Sequence, residues 1–105
     1  MKTIESIKDY EALLDQKKPI LLDFYADWCG PCQSLLPTVE KLSKVYEDRI
    51  EIQKVNVDNN QELAAKFGVR SIPALFFIKD SEVVDKAVGV QPIAVLVEKL
   101  ESLLK

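Results

Sequence analysis

The short apolar run PILLDFYA, residues 19–26, is the feature that most constrains the fold of this chain. Apolar side chains follow one another along it, without the polar alternation of a strand that has one face in water. Such a run is typical of a strand in a sheet that helices cover on both faces. A second strand is predicted from RIEIQKVNV, residues 49–57, which is rich in β-branched residues. PALFFI and VVDKAVG lie on either side of KDSE and predict an antiparallel hairpin.

Helical apolar spacing occurs before the first strand, after the two cysteines and again near the end of the chain. The third helix is predicted to have Asn59 or Asn60 as its N-cap and Gly68 as its C-terminal stop. The fourth helix is predicted to begin at Pro92. Its core-facing stripe is predicted to consist of Ile93, Leu96, Leu100, Leu103 and Leu104.

The predicted order of elements is therefore α-β-α-β-α-β-β-α. Strands that alternate with helices favour right-handed crossovers and a sheet between two helical layers. The hairpin near the end adds antiparallel strands to the parallel ones. We predict an α/β fold in a single domain over residues 1–105, with a central mixed β-sheet flanked by helices on both faces.

The charge balance of the chain argues against a nucleic-acid-binding face. Lys and Arg number 14 against 17 Asp and Glu, and the charges alternate in sign instead of forming a basic patch. The apolar runs are much shorter than the roughly 18 residues that suggest a membrane span. MKTIESIKDYEALL carries acidic residues where a secretion signal would be apolar. We therefore expect a cytoplasmic monomer with neither a membrane nor a nucleic acid as partner.

Both cysteines of the chain, Cys29 and Cys32, lie in the segment DWCGPC at the end of the first strand. A zinc site needs four ligands, and the chain has no histidine, so only a dimer that shares two cysteine pairs could complete one. A structural disulfide is disfavoured in a reducing cytoplasm. A reactive dithiol fits the junction of a strand and a helix, where free N–H groups and the helix dipole favour a thiolate on Cys29. Gly30 permits close backbone approach, and Pro31 suits the first helical turn.

Two charged residues interrupt strands that are predicted to be buried. Asp23 lies within ILLDFYA, and Lys54 lies on the same alternating face as Ile50 and Ile52. Because an unpaired charge is costly in a core, we expect the two side chains to approach each other. Three interpretations remain open. The residues are a structural ion pair, the lysine extends to solvent, or Asp23 is a buried acid/base that exchanges a proton with Cys32.

Four motifs occur along the chain: LLDFYADWCGPC, KVNVDNN, FGVRSIPALFFIK and VG. In their order and spacing the sequence closely resembles the thioredoxin family over nearly the whole chain, from Ser6 to Leu104, which implies the thioredoxin fold. The chain departs from the common pattern of the family at a few positions. Tyr25 replaces a frequent tryptophan, Ser71 replaces a frequent glycine, and the hairpin KDSE lacks the usual glycine.

The resemblance implies roles for individual residues. Cys29 matches the nucleophile of the family and Cys32 its resolving thiol. Asp23 matches the buried aspartate and Lys54 its lysine partner. Pro73 matches the proline that follows a cis peptide bond and faces the disulfide. The flat apolar surface that meets partner proteins is matched by Trp28, Gly30, Pro31, Ile72, Pro73, Gly89 and Val90.

The resemblance also implies the activity, a protein-disulfide reductase that works through a reversible Cys29–Cys32 disulfide and a mixed disulfide with client proteins. No metal and no bound cofactor are expected, because the electrons pass through the sulfurs and an NADPH-dependent flavoprotein, thioredoxin reductase, regenerates the dithiol. Two alternatives stay open: a disulfide oxidant or isomerase, and a thioredoxin-fold binding subunit of a larger assembly. Gly-Pro between the cysteines favours the reductase, because oxidants of the family usually carry a histidine there.

Overall fold

The computed structural model describes all residues from Met1 to Lys105. It contains four helices and four strands in the predicted order, so the predicted fold class is confirmed. None of the helices has the length and apolar character needed to cross a membrane. The elements are α1 (Ile7–Asp15), β1 (Ile20–Tyr25), α2 (Gly30–Val45), β2 (Glu51–Asn56), α3 (Gln61–Lys66), β3 (Ala74–Lys79), β4 (Glu82–Val88) and α4 (Ile93–Leu103).

The sheet has the strand order β2-β1-β3-β4. The pairing of its strands changes from parallel to antiparallel at β1. β1 pairs in parallel with β2 and antiparallel with β3, which forms the predicted hairpin with β4. Every residue of β1 is buried, as expected for the central strand that the apolar run predicts. Asp23 of this strand is the register partner of Lys54 on β2. The two charged residues are therefore neighbours across adjacent strands.

Helices cover the sheet on both faces, and each face has its own apolar core. On one face Leu21 packs with the buried stripes of α2 and α4, and on the other Leu22 and Phe24 pack with α1 and α3. The alternation follows from strand geometry, in which successive side chains point to opposite faces. Burial of each large apolar side chain contributes roughly 1.5–3 kcal/mol. The two cores hold β1 rigidly, and the two cysteines follow soon after its last residue.

For α3 and α4, the predicted positions of Gly68 and Asn60 are confirmed, and the predicted place of Ile93 in the core stripe is wrong. Gly68 follows α3 with φ +66°, a left-handed conformation that suits glycine at a helix C-terminus. Asn60 occupies the N-cap position of α3, but its side chain does not cap the helix, because its Nδ2 donates to the carbonyl oxygen of Ile4 at 3.0 Å. Ile93 was expected in the core stripe, yet it is 44% exposed, because it begins α4 and the buried part of the helix starts at Leu96.

Candidate active site

The two cysteines lie where β1 ends and α2 begins. Cys29 is the N-cap residue of α2, and Cys32 lies in its first turn, behind Pro31. The two are joined by a disulfide bond, with their Cα atoms 5.2 Å apart. Pro31 occupies a position whose backbone N–H would have no partner inside the helix, so proline is tolerated there. The local sequence therefore places both sulfurs at the N-terminus of a helix, as predicted.

The sulfur of Cys29 lies at the positive end of the α2 helix dipole. The backbone N–H of Cys32 donates to Cys29 Sγ at 3.2 Å. Positive partial charge at a helix N-terminus and a donated N–H both favour the anionic form of a thiol. Both act on Cys29 Sγ when the disulfide is reduced. Cys32 has 1% of its surface exposed and is the more deeply buried of the two.

A second segment of chain, Ile72–Pro73, faces the disulfide from the start of β3. The peptide bond between these residues is cis, Pro73 is buried and Ile72 is half-buried. The carbonyl oxygen of Ile72 lies 3.9 Å from Cys29 Sγ. Gly89 donates its backbone N–H to the carbonyl oxygen of Pro73 at 2.8 Å and has φ +88°, a conformation that glycine permits. The segment Gly89–Val90 is thereby fixed beside Pro73.

The residues predicted to meet partner proteins surround Cys29. Trp28 precedes it and is 72% exposed, and Gly30 is exposed on the other side. Ile72 contacts the cysteine cluster. The backbone hydrogen bond from Gly89 to Pro73 brings the segment Gly89–Val90 beside the same cluster. We call this set the apolar face; it consists of Trp28, Gly30, Pro31, Ile72, Pro73, Gly89 and Val90.

Asp58 contacts the apolar face, and the sequence analysis missed it. The indole Nε1 of Trp28 donates to Asp58 Oδ2 at 2.8 Å. Asp58 follows β2, which runs parallel to β1, so the residues after both strands meet at one edge of the sheet. That rule, applied to the acidic residue after the second predicted strand, could have found the contact.

Asp23 lies inside the core without a partner. Its exposed fraction is 0%, and neither of its carboxylate oxygens has a hydrogen-bond partner. Burial raises the pKa of Asp23 from the ordinary 3.8 to about 7, and the charge of Lys54 lowers it in part. Both directions are those that burial and a nearby positive charge produce. A carboxyl group of this kind gains and loses its proton near neutral pH.

Lys54 does not form the ion pair with Asp23 that was one interpretation of the sequence. The salt bridges of the chain join other residues, Lys18 with Glu51 and Lys99 with Asp85. Lys54 is half-buried, and its ammonium lies 5.4 Å from the centroid of the Tyr25 ring. Solvent access and the aromatic ring together account for the position of the ammonium.

The structure contains no group of three or more His, Cys, Asp or Glu side chains that could hold a metal ion. The two sulfurs at the start of α2 support thiol–disulfide exchange.

Comparison with known proteins identifies the family. The Thioredoxin family model matches residues 2–102. The chain belongs to the thioredoxin family. It is 42% identical to the thioredoxin of Synechocystis over 94 residues, which covers 90% of this chain and 88% of that one. It is 49% identical to the thioredoxin of Bacillus subtilis over 73 residues, or 70% of each chain.

Solved thioredoxin structures have the same fold. The thioredoxin of Fasciola hepatica superposes with a TM-score of 0.90 at 38% identity, covering 97% of this chain and 98% of that one. A mutant thioredoxin of Halobacterium salinarum gives 0.91 at 37% identity, with 98% and 89% covered. Thioredoxins are protein-disulfide reductases. Family membership and the Cys29–Cys32 disulfide make this chain a thiol–disulfide oxidoreductase with a redox-active disulfide.

Proposed function

We propose that Cys29 is the nucleophile of this reductase and Cys32 its resolving thiol. The observation that carries the assignment is the N–H of Cys32, which donates to Cys29 Sγ at 3.2 Å at the N-terminus of α2. The Cys29 thiolate attacks one sulfur of a client disulfide, so a mixed disulfide forms and one client thiolate leaves. The Cys32 thiolate then attacks Cys29 Sγ, the Cys29–Cys32 disulfide forms and the second client thiolate leaves. Two electrons pass to the client.

Asp23 is proposed to take the proton of Cys32 as this thiol becomes a thiolate. The side chain of Asp23 shares a face of β1 with that of Tyr25, two residues further on, and Tyr25 packs in one cluster with Cys32. The pKa of Asp23, raised by burial to about 7, suits a group that accepts and releases protons near neutral pH. The positive charge of Lys54 favours the charged carboxylate and so limits the rise.

The apolar face is proposed to be the docking surface for disulfide-containing client proteins. Only 5% of the surface of Cys29 is exposed, so a client sulfur reaches it only if the client lies flat against the residues around it. Those residues are apolar or carry no side chain, and Trp28 offers a large exposed ring. Clients would therefore be selected by shape and apolar contact and not by charge. Such recognition suits a reductase that acts on many different client proteins.

The oxidised protein is proposed to be reduced again by thioredoxin reductase, an NADPH-dependent flavoprotein. The family supports this partner, and the exchange uses the same two sulfurs as the reaction with clients. We further propose a cytoplasmic monomer that acts as a single domain over residues 1–105. A reducing compartment is where a dithiol of this kind stays available.

The roles of the two thiols can be tested with serine variants and a disulfide-containing client. Cys32→Ser should attack once and stall as a mixed disulfide on Cys29, because no second thiol resolves it. Cys29→Ser should form no adduct and lose reductase activity. Mass spectrometry of each variant after mixing with client gives the result. An adduct on Cys32 in Cys29→Ser, formed as fast as the adduct on Cys29 in Cys32→Ser, would reverse the assignment.

A coupled assay separates the reductase from its two alternatives. Wild-type protein with insulin, NADPH and a thioredoxin reductase should consume NADPH continuously. A pure binding subunit would not turn over. A disulfide oxidant would show a distinctly higher reduction potential in equilibrium with glutathione.

A further inference from the structure

We propose that Tyr25 is a positioning residue, whose ring holds the Lys54 ammonium away from the Asp23 carboxylate. The proposal deepens the function proposed above, since its consequence for catalysis rests on Asp23 as the partner of Cys32. Its structural part concerns only the three side chains and can be tested without turnover.

Asp23 and Lys54 are placed so that an ion pair would be easy to form. They are register partners on adjacent parallel strands, which lie about 4.8 Å apart, and their side chains start from the same face of the sheet. The four-carbon chain of a lysine easily spans that distance. Nevertheless no salt bridge joins them, and both carboxylate oxygens of Asp23 lack any hydrogen-bond partner. The ammonium therefore lies elsewhere, near the Tyr25 ring.

The ring of Tyr25 is the group that the ammonium meets instead. Lys54 Nζ lies 5.4 Å from the ring centroid, within the range of about 6 Å for a cation–π contact. Tyr25 follows Asp23 by two residues and therefore shares its face of β1. The ring cannot swing away, because Tyr25 is buried in the cluster with Cys29 and Cys32. The ammonium is thus held over a fixed aromatic ring.

Apart from Lys54, no charged group acts on the pKa of Asp23. Its register partner on β3 is Leu75, which is apolar. On α2, Cys32 lies in the disulfide and does not titrate. Lys54 is the charged group that acts on the pKa of Asp23, and it only partly offsets the rise caused by burial. The distance between ammonium and carboxylate therefore determines how far Lys54 offsets the rise in pKa that burial causes.

The consequence for the reaction follows from proton transfer. A direct ion pair would hold Asp23 in its charged form throughout the neutral range and weaken it as an acceptor for the Cys32 proton. With the ammonium on the Tyr25 ring, the carboxyl group can exchange a proton near neutral pH. The aromatic face is the property that matters here. Tyr25→Phe should therefore keep the ammonium on the ring, and Tyr25→Leu should not.

The test is the titration of the Asp23 carboxyl carbon by NMR in the disulfide form, where the cysteines do not titrate. Tyr25→Leu should lower the midpoint by about 1 unit or more, because the freed ammonium approaches the carboxylate. Tyr25→Phe, the matched control, should stay within a few tenths of a unit of wild type. An unchanged midpoint in Tyr25→Leu, or an equal fall in Tyr25→Phe, would overturn the proposal.

The smaller leucine could also lower the Asp23 midpoint by admitting water. The Lys54→Met variant, which has no ammonium, distinguishes this effect from the approach of the ammonium. In Lys54→Met, the additional Tyr25→Leu change should leave the Asp23 midpoint where Lys54→Met alone puts it. The same fall in both backgrounds would mean that hydration acts, and the proposal would be wrong.

The wild-type protein provides a measurement that needs no variant. The ε-methylene protons of Lys54 should be shifted upfield by the ring current of Tyr25, and ordinary lysine shifts would contradict the proposal. None of these experiments involves turnover. They therefore stand or fall separately from the role of Asp23 in the resolving step, which single-turnover kinetics test.

Discussion

Trp28 shows at the scale of one residue how a reactive surface depends on a partner distant in sequence. The indole is largely exposed, yet its N–H is held by Asp58 across 30 residues of chain. Asp58 is itself held, because Asn56 Oδ1 accepts the backbone N–H of Asp58 at 2.9 Å. On the docking surface proposed above, a ring fixed before binding would lose less conformational freedom when a client docks. Asp58 therefore preorganises the largest side chain of the apolar face.

Asp58→Ala should loosen Trp28 and weaken client docking. The KM for a protein client should rise about 2- to 10-fold with little change in kcat, because the cost of ordering the ring moves to the binding step. Trp28 is the one tryptophan of the chain, so fluorescence anisotropy decay reports on it alone. Asp58→Asn keeps an oxygen acceptor and is the matched control. Unchanged ring motion in Asp58→Ala would contradict the role given to Asp58.

Among the elements, the β3–β4 hairpin has a turn whose residues are poorly suited to its conformation. Lys79 pairs with Glu82, which leaves Asp80 and Ser81 as a two-residue loop. Both have positive φ, 52° and 67° respectively. Positive φ at both central positions is the type I′ combination, which favours Asn-Gly and suits the twist of a hairpin. Ser81 adopts this conformation with a Cβ atom that glycine would not have.

Ser81→Gly should stabilise the protein by about 1 kcal/mol, because it removes the left-handed penalty at that position. The midpoint of urea unfolding should rise while its slope stays the same, since the surface exposed on unfolding is unchanged. Ser81→Ala keeps the Cβ atom and should give no such gain. Equal midpoints for the two variants would show that the backbone conformation of the turn is not what limits it.

The elements also show which contacts a sequence predicts and which it does not. β1, the hairpin and the end of α3 at Gly68 depend on local apolar patterns and on one glycine, and all three were predicted. The side chain of Asn60 bonds to Ile4, 56 residues away, and so does not act as the cap that its local position predicts. Contacts of this kind depend on how the strands assemble, which local spacing does not contain.

The whole molecule brings the cysteines, the cis proline segment and the buried carboxyl group to one end of a mixed sheet. The residues of the site were predicted through the resemblance to a family, because its motifs name each of them. Two of the contacts in and around the site were not predicted. The bond from Trp28 to Asp58 and the contact of Lys54 with Tyr25 join residues whose distance depends on strand order and side-chain direction.

Asp23 makes the stability of the whole fold depend on pH. Its pKa is about 7 in the folded chain against the ordinary 3.8, since burial outweighs the effect of Lys54. Between these values the folded state holds a proton that the unfolded chain has released. The stabilisation is complete below about pH 4 and is lost as the pH rises through about 7. At 1.36 kcal/mol per pKa unit, the loss is on the order of 4 kcal/mol.

Asp23→Asn should therefore be more stable than wild type at about pH 8, by up to about 4 kcal/mol, and close to it at about pH 4. The amide has nearly the shape of the carboxyl group and never carries its charge. Guanidinium unfolding of wild type and Asp23→Asn, both with the disulfide intact, gives the difference in unfolding free energy at each pH. The contributions of the other carboxyl groups cancel in this difference. A destabilised Asp23→Asn at about pH 8 would mean that the carboxylate stabilises the fold as a partner of Lys54. If single-turnover kinetics also showed unchanged resolution by Cys32, Asp23 would have no part in the reaction.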